Sequence, residues 1–148
     1  MSPLDKKIVA VLNQDGRVTN KDIAQQLNVS EGTVRNRIRK LLDSKQLKVT
    51  GLIAPDASAC KQLILLGLNV AVSKDLNSKA DEISRLQGVL AVHITTGRYD
   101  IILEAWLDTR FGLIKFLSEI LSAVEGITST ESFLAMRTIN KWIPRNDL

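Results

Sequence analysis

The hydrophobic period of this chain changes once, at about Leu63. Before that point apolar residues recur three and four apart (Leu4, Ile8, Val11; Val34, Ile38, Leu41), the period of helices. After it they alternate (Leu66, Leu68, Val70, Val72; Ile101, Leu103, Ala105, Leu107), the period of half-buried strands. Such a chain is neither one bundle nor one sheet. It is a helical module followed by a mixed one, and 148 residues suffice for two small domains. The division assigns residues 1–50 to the first module, 51–62 to a linker and 63–148 to the second.

Charge follows the same cut. Residues 1–50 hold ten Lys/Arg and five Asp/Glu, net +5, and residues 51–148 hold ten and eleven, net −1. A basic module beside a near-neutral one points to a polyanionic partner for the first. Other classes are excluded by what is scarce. Cys60 and His93 are each the only residue of their type, so an intrachain disulfide or a thiolate zinc cage cannot form. No apolar run reaches the ~18 residues of a membrane span, and the first residues lack the apolar core of a signal peptide. The expectation is a cytoplasmic protein without cofactor, metal or catalytic residues.

Within the first module, Pro3 after Ser2 suits a helix start, and Gly16 is expected to end that helix in a left-handed conformation. Thr19 can cap a second helix, with Asp22 three residues on, and Ile23, Ala24 and Leu27 form its apolar stripe. Asn28-Val29-Ser30 makes a tight turn in which Asn28 accepts positive φ and Ser30 caps a third helix running to about Ser44. Two short helices joined this way, with small Ala24 at the crossing, form a helix-turn-helix. On the third helix Gly32, Thr33, Asn36 and Lys40 face away from the apolar stripe, flanked by Arg35, Arg37 and Arg39. Thr33 and Asn36 can meet base edges, Arg35 or Arg37 can pair with guanine, and the later cations can meet phosphates of double-stranded DNA, with Ser30 and Gly32 counted in the same DNA-binding set. Leu47 to Ile53 alternates and is read as a wing strand, with Lys45 and Lys48 reaching the backbone. Ala54 to Ala59 is read as a hinge.

The second module reads strand, helix, strand, strand, helix, strand, which is a ferredoxin-like βαββαβ unit and makes the chain α+β. Asn77-Ser78 are expected to cap its first helix, with Asp81 and Glu82 at the favourable end. Leu90, Val92 and Ile94 are expected on one face of the second strand, with His93 opposite. Thr109 is expected to cap a long helix carrying Leu113, Leu117, Ile120, Leu121 and Val124, and the last strand is expected over Ile127 to Arg137. Glu104 is read as a solvated edge residue. Both helices on one face leave the other sheet face bare, which calls for a homodimer. Gly97-Arg98-Tyr99-Asp100 joins turn amides, a guanidinium and a carboxylate, a set suited to a zwitterion, although turn chemistry alone also accounts for Gly97 and Asp100.

Taken in order, Leu4-Asp5-Lys6-Lys7-Ile8, Asp15-Gly16-Arg17, Asp22-Ile23-Ala24, Val29-Ser30 with Val34 and Arg37, Gly97-Arg98-Tyr99-Asp100 and Gly126-Ile127 resemble the Lrp/AsnC (feast/famine) family of transcription regulators. The resemblance covers the whole chain. It implies a winged helix-turn-helix joined to an amino-acid-sensing domain, dimers that assemble to octamers, and a nucleoid-associated protein. It places an effector site at Gly97, Tyr99 and Asp100 with Arg98 between, bordered by Ser129 and Thr130. The sequence departs from the pattern at Asn28 and Gln46, where glycine is usual. Two rivals of the same architecture remain: a DNA-wrapping architectural protein, and an enzyme resembling tetrapyrrole decarboxylases.

Overall fold

The computed structural model describes residues 1–71 and 75–144, and for Asp56 the backbone alone. Two compact units divide between Gly51 and Leu52. The first unit is three helices: α1 (Pro3–Gln14), α2 (Asn20–Leu27) and α3 (Glu31–Asp43). Ile8, Ile23, Ala24 and Val34 form their buried core. Each helix opens on a hydroxyl cap, Ser2, Thr19 and Ser30, whose oxygen accepts the backbone N–H three residues on. Such a bond satisfies one of the four orphan N–H groups at a helix start. Asn28 takes φ 53° and ψ 50°, as its turn requires. Thr19→Ala is expected to lower the stability of this unit by about 1 kcal/mol, read by chemical denaturation, because Asp22 N–H loses its acceptor.

Two local expectations in this unit are corrected, and one local feature is new. Gly16 does not take a left-handed conformation; α1 ends in a turn where Asp15 Oδ1 accepts Arg17 N–H at 2.8 Å. After α3 it is Lys45 that takes the left-handed conformation (φ 56°). The wing strand over Leu47–Ile53 shrinks to β1 (Leu52–Ile53), whose partner is β6 (Ile143–Pro144) of the second unit. Among the described residues of the first unit there is therefore no strand. The hinge region also carries structure, a 3-10 turn over Pro55–Ala57.

The second unit contains β2 (Lys61–Val70), α4 (Leu76–Ser84), β3 (Val89–Ile94), β4 (Ile101–Asp108), α5 (Gly112–Lys115) and β5 (Ile127–Leu134). Its sheet is antiparallel in the order β3-β4-β2-β5. Ile64, Leu66 and Leu68 of β2 and Ile101, Leu103, Ala105 and Leu107 of β4 line the helix-covered face and make the main core with Ile83, Phe116, Leu121 and Val124. Val72, expected on the same face, lies outside the described residues. No described helix is long and apolar enough to cross a membrane.

Here too the structure differs from expectation. Asn77 and Ser78 are inside α4, whose N-cap is Asp75 without a side-chain bond. Asp81 and Glu82 consequently sit past its first turn, and Glu82 pairs with Lys79 at 2.8 Å. The long helix after Thr109 is only partly α: Gly112–Lys115 continues as a π turn over Phe116–Ile120 and a 3-10 turn over Leu121–Ala123, with no Thr109 cap. The π register turns Phe116 and Leu121, five apart, to the same buried side, which α spacing cannot do. A bulge between Val89 and Ala91 sends Leu90 and Val92 to opposite faces of the sheet. β5 stops at Leu134, short of Arg137. The far face of the sheet is not wholly bare: Leu63 and Trp106 pack there with Ile143, Ile53 and Leu90, so the β1–β6 ribbon closes one end of it.

Candidate nucleic-acid interface and effector site

On α3, Val34 and Leu41 are buried and Ile38 packs against the same core, which leaves the opposite face to solvent. That face carries Gly32, Asn36, Arg39 and Lys40, all exposed. A Cβ on Gly32 would meet no atom within 4 Å, so nothing in the unit crowds this surface. Ser30 Oγ accepts Thr33 N–H at 3.1 Å and lies 2.8 Å from Thr33 Oγ1, so the two hydroxyls hold each other at the start of the helix. Lys48 is exposed beyond the helix end.

Two arginines proposed for guanine are already paired. Arg35 binds Glu31 one turn back at 2.5 Å, on the exposed side. Arg37 reaches in the other direction, to Asp5 Oδ1 of α1 at 3.6 Å. Asp5 is only 7% exposed and receives Ser2 N–H on Oδ2 at 2.9 Å, completing a capping box. The Ser2 bonds, with Arg37 adding to them, hold its carboxyl below the ordinary carboxylate range. Arg37 thus links α3 to α1, with its side chain still 42% exposed. The sequence reading missed Asp5, although Ser2-Pro3-Leu4-Asp5 has the S-x-x-acid spacing of a capping box.

The hairpin residues lie at the opposite end of β4 from Asp108. Asp100 Oδ2 accepts Val70 N–H at 2.9 Å, and Asp100 N–H is shared by Leu68 O at 3.0 Å and Asn69 Oδ1 at 3.2 Å. The reason is visible in the register. β2 pairs with β4 only as far as Leu68 and Ile101, so Val70 N–H lies past the end of that ladder, and Asp100 supplies its acceptor. Tyr99 lays its ring over Gly67, where a Cβ would stand 2.6 Å from the ring carbon Cγ. Its hydroxyl donates to Glu131, and its ring meets Phe133 edge-on at 6.1 Å between centroids. Arg98 is the most open member, pairing with Glu131 at 3.4 Å and standing 5.4 Å from the Tyr99 ring centroid. Gly97 is exposed and a Cβ there would touch nothing.

Ser129 joins this group, accepting Asn69 Nδ2–H at 2.9 Å. Thr130 does not. It pairs in register with Leu68, whose side chain enters the core, so Thr130 is turned to the helix-covered side of the sheet. Glu131, Asn69 and Gly67 are the members that sequence reasoning did not single out. Only the pairing of β5 on β2 brings them to the hairpin.

The Glu131 carboxylate, helped by burial, pushes the Tyr99 phenol above its ordinary value near ~10. Tyr99 is the sole tyrosine, so an ultraviolet titration reads it alone. It is expected to ionise above the ordinary range, and Glu131→Gln to bring it back down. A raised folded-state value means this bond contributes stability below the unfolded pKa and loses it as pH rises through the folded one.

Elsewhere on the sheet, His93 and Glu104 do not behave as a separate exposed pair. Glu104 belongs to an inner strand, not a solvated edge; it takes an ion pair from Lys141, and His93 Nε2 is 3.8 Å from its other oxygen. Among the described residues no group of three His, Cys, Asp or Glu is placed to hold a metal ion.

Residues 1–42 match the AsnC-type helix-turn-helix domain and residues 63–141 match the Lrp/AsnC ligand-binding domain. An HTH-type transcriptional regulator of Pyrococcus furiosus is 32% identical over 143 residues, 96% of this chain and 95% of that one. Among solved structures, E. coli AsnC superposes with a TM-score of 0.72 at 22% identity, covering 93% of each chain. A transcriptional regulator from Neisseria meningitidis, solved as a complex with L-Met, gives 0.74 at 21% identity over 95% of this chain and 93% of that one.

Proposed function

Because this chain belongs to the Lrp/AsnC family of transcriptional regulators, we propose that its α3 reads a specific double-stranded DNA site and that an amino acid held at the 97–100 hairpin adjusts that reading. The chain is a DNA-binding regulator with a ligand-binding domain, not an enzyme. The observation that carries the proposal is the exposed, capped face of α3 with Gly32, Thr33, Asn36, Arg39 and Lys40, in a unit of net +5. Base edges take Asn36 and Thr33; phosphates take Arg39, Lys40 and Lys48. Ser30 serves by capping the helix that presents them. Arg35 is near the same face and can exchange Glu31 for DNA, whereas Arg37 stays with Asp5.

At the hairpin, the open guanidinium of Arg98 is the partner for the effector's carboxylate, and Gly97 leaves room beside it. Glu131 and Asp100 supply negative charge for the ammonium, with Tyr99 as the wall and Ser129 at the border. Thr130 drops out of the set by its direction. The complex of the Neisseria meningitidis relative with L-Met supports an amino acid as the effector class. A second copy of the chain covers what the β1–β6 ribbon leaves of the far sheet face, where Phe133 is 45% exposed. Such dimers, and octamers built from them, would work in the cytoplasm on the nucleoid without a cofactor.

Selection of bound duplexes from a random pool, followed by footprinting, tests the DNA half: one enriched motif supports it, and uniform protection of any DNA overturns it in favour of an architectural role. Thermal shift against the twenty amino acids tests the effector half. A responsive ligand at a hundred times its Kd stabilises by about 2.7 kcal/mol, and Arg98→Ala should remove that gain. Sedimentation at micromolar concentration should find no monomer.

A further inference from the structure

A cavity of about 500 Å³ lies at the far end of β4 from the hairpin, where β3 begins and the helix after Gly112 starts. The seven residue steps of β4 separate the two places by roughly 24 Å. Three backbone irregularities meet around it. Gly88 lines it at φ +89°, the bulge between Val89 and Ala91 lies in its wall, and the π turn contributes Ile120. Bulges and π turns interrupt otherwise regular hydrogen bonding and gather where a site has to be shaped. Both glycines of the cavity are crowded: a Cβ on Gly88, itself at positive φ, would stand 2.7 Å from Leu107 Cδ2, and one on Gly112 would stand 3.0 Å from Leu107 Cβ.

The chemistry of the wall selects a ligand. Val89, Leu90, Leu107, Ile120 and Trp106 make it apolar. Its charged lining residues are Lys115, Lys61 and Asp108, and Asp108 Oδ1 already accepts Arg110 N–H at 2.8 Å. Lys115 is exposed and its ammonium has no partner among the described residues. The volume suits a small molecule, since ligand pockets run from about 300 to 1,000 Å³ and combine apolar walls with a few polar groups. We infer that this cavity is a second small-molecule site, for a small carboxylate with an aromatic or branched aliphatic body, its charge on Lys115 and its body against Trp106 and Ile120. The site belongs to one unit of one chain and does not use the hairpin.

Trp106 is the built-in reporter. The chain has two tryptophans, and Trp142→Phe removes the exposed one and leaves Trp106. Phenylacetate is titrated into this full-length variant, followed by Trp106 emission and by calorimetry, beside phenethylamine and acetate. Saturable binding of phenylacetate is expected, with neither the amine nor acetate competing. Lys115→Glu should weaken it at least tenfold, and Arg98→Ala should change it less than twofold. No saturable signal and no heat at millimolar phenylacetate overturns the inference. So does binding that survives Lys115→Glu, or binding that Arg98→Ala abolishes, since the ligand then sits at the hairpin. Equal binding of phenethylamine overturns the charge assignment and with it the ligand class.

Discussion

Asn36→Ala should weaken binding to the selected duplex by roughly 5- to 150-fold, about 1–3 kcal/mol, while affinity for random duplex stays the same. Asn36 stands on the exposed face of α3, opposite the buried Val34 and Leu41, and its side chain has no bond among the described residues. Removing it therefore tests the proposed base contact without disturbing a fold contact among the described residues. Lys40→Ala has the complementary signature: binding to every sequence weakens, and the slope of log K against log salt falls by about 0.9, one released counterion. Arg37→Ala separates the two from a third behaviour. Because its guanidinium is held by Asp5, the variant should lose stability of the N-terminal unit with sequence preference retained. Gel shifts over a salt series, with denaturation midpoints measured alongside, read all three. Equal losses on specific and random duplex for Asn36→Ala would remove it from base reading.

Gly67→Ala should destabilise the C-terminal unit by about 1–3 kcal/mol, the usual cost of overpacking. The new methyl would stand 2.6 Å from Cγ and 2.7 Å from both Cδ carbons of Tyr99, so the ring must lift from the sheet. Backbone on either side is paired, to β4 through Ile102 and to β5 through Glu131, so the strand cannot yield instead. Lifting the ring breaks its bond to Glu131 and its edge contact with Phe133. The phenol should then titrate near its ordinary value, which distinguishes ring displacement from general loosening. In a Tyr99→Ala background the same substitution should cost far less, because the clash has no second party. A cycle over the two positions measures this coupling. Additive costs would show that the glycine is needed for its backbone and not for the ring.

The two predictions sit on residues that were unequally visible in the chain. Asn36 follows from helical period and turn chemistry, both local. Gly67 reads as an interruption in an apolar run, and nothing near it in sequence announces an aromatic ring thirty-two residues on. Asp100 behaves likewise. Its turn is recognisable, but that its carboxylate serves Val70 depends on where the pairing of β2 with β4 ends.

The amino-acid sequence alone determined the two-module division, the three helices with their hydroxyl caps, the left-handed Asn28 turn and the order of strands and helices in the second unit. These are set by side-chain period, capping and turn preference within a few residues, so they are written in neighbouring letters. Tertiary structure alone decided which side chains were left free to act. It bound Arg37 to Asp5, turned Thr130 away from Ser129, brought Glu131 to Tyr99 and joined Leu52–Ile53 to a strand near the other end of the chain. It also replaced part of a long α-helix by a π turn so that Phe116 and Leu121 share one core. Each of these depends on pairing register and packing between segments far apart in sequence, where a shift of one residue turns a side chain to the opposite face.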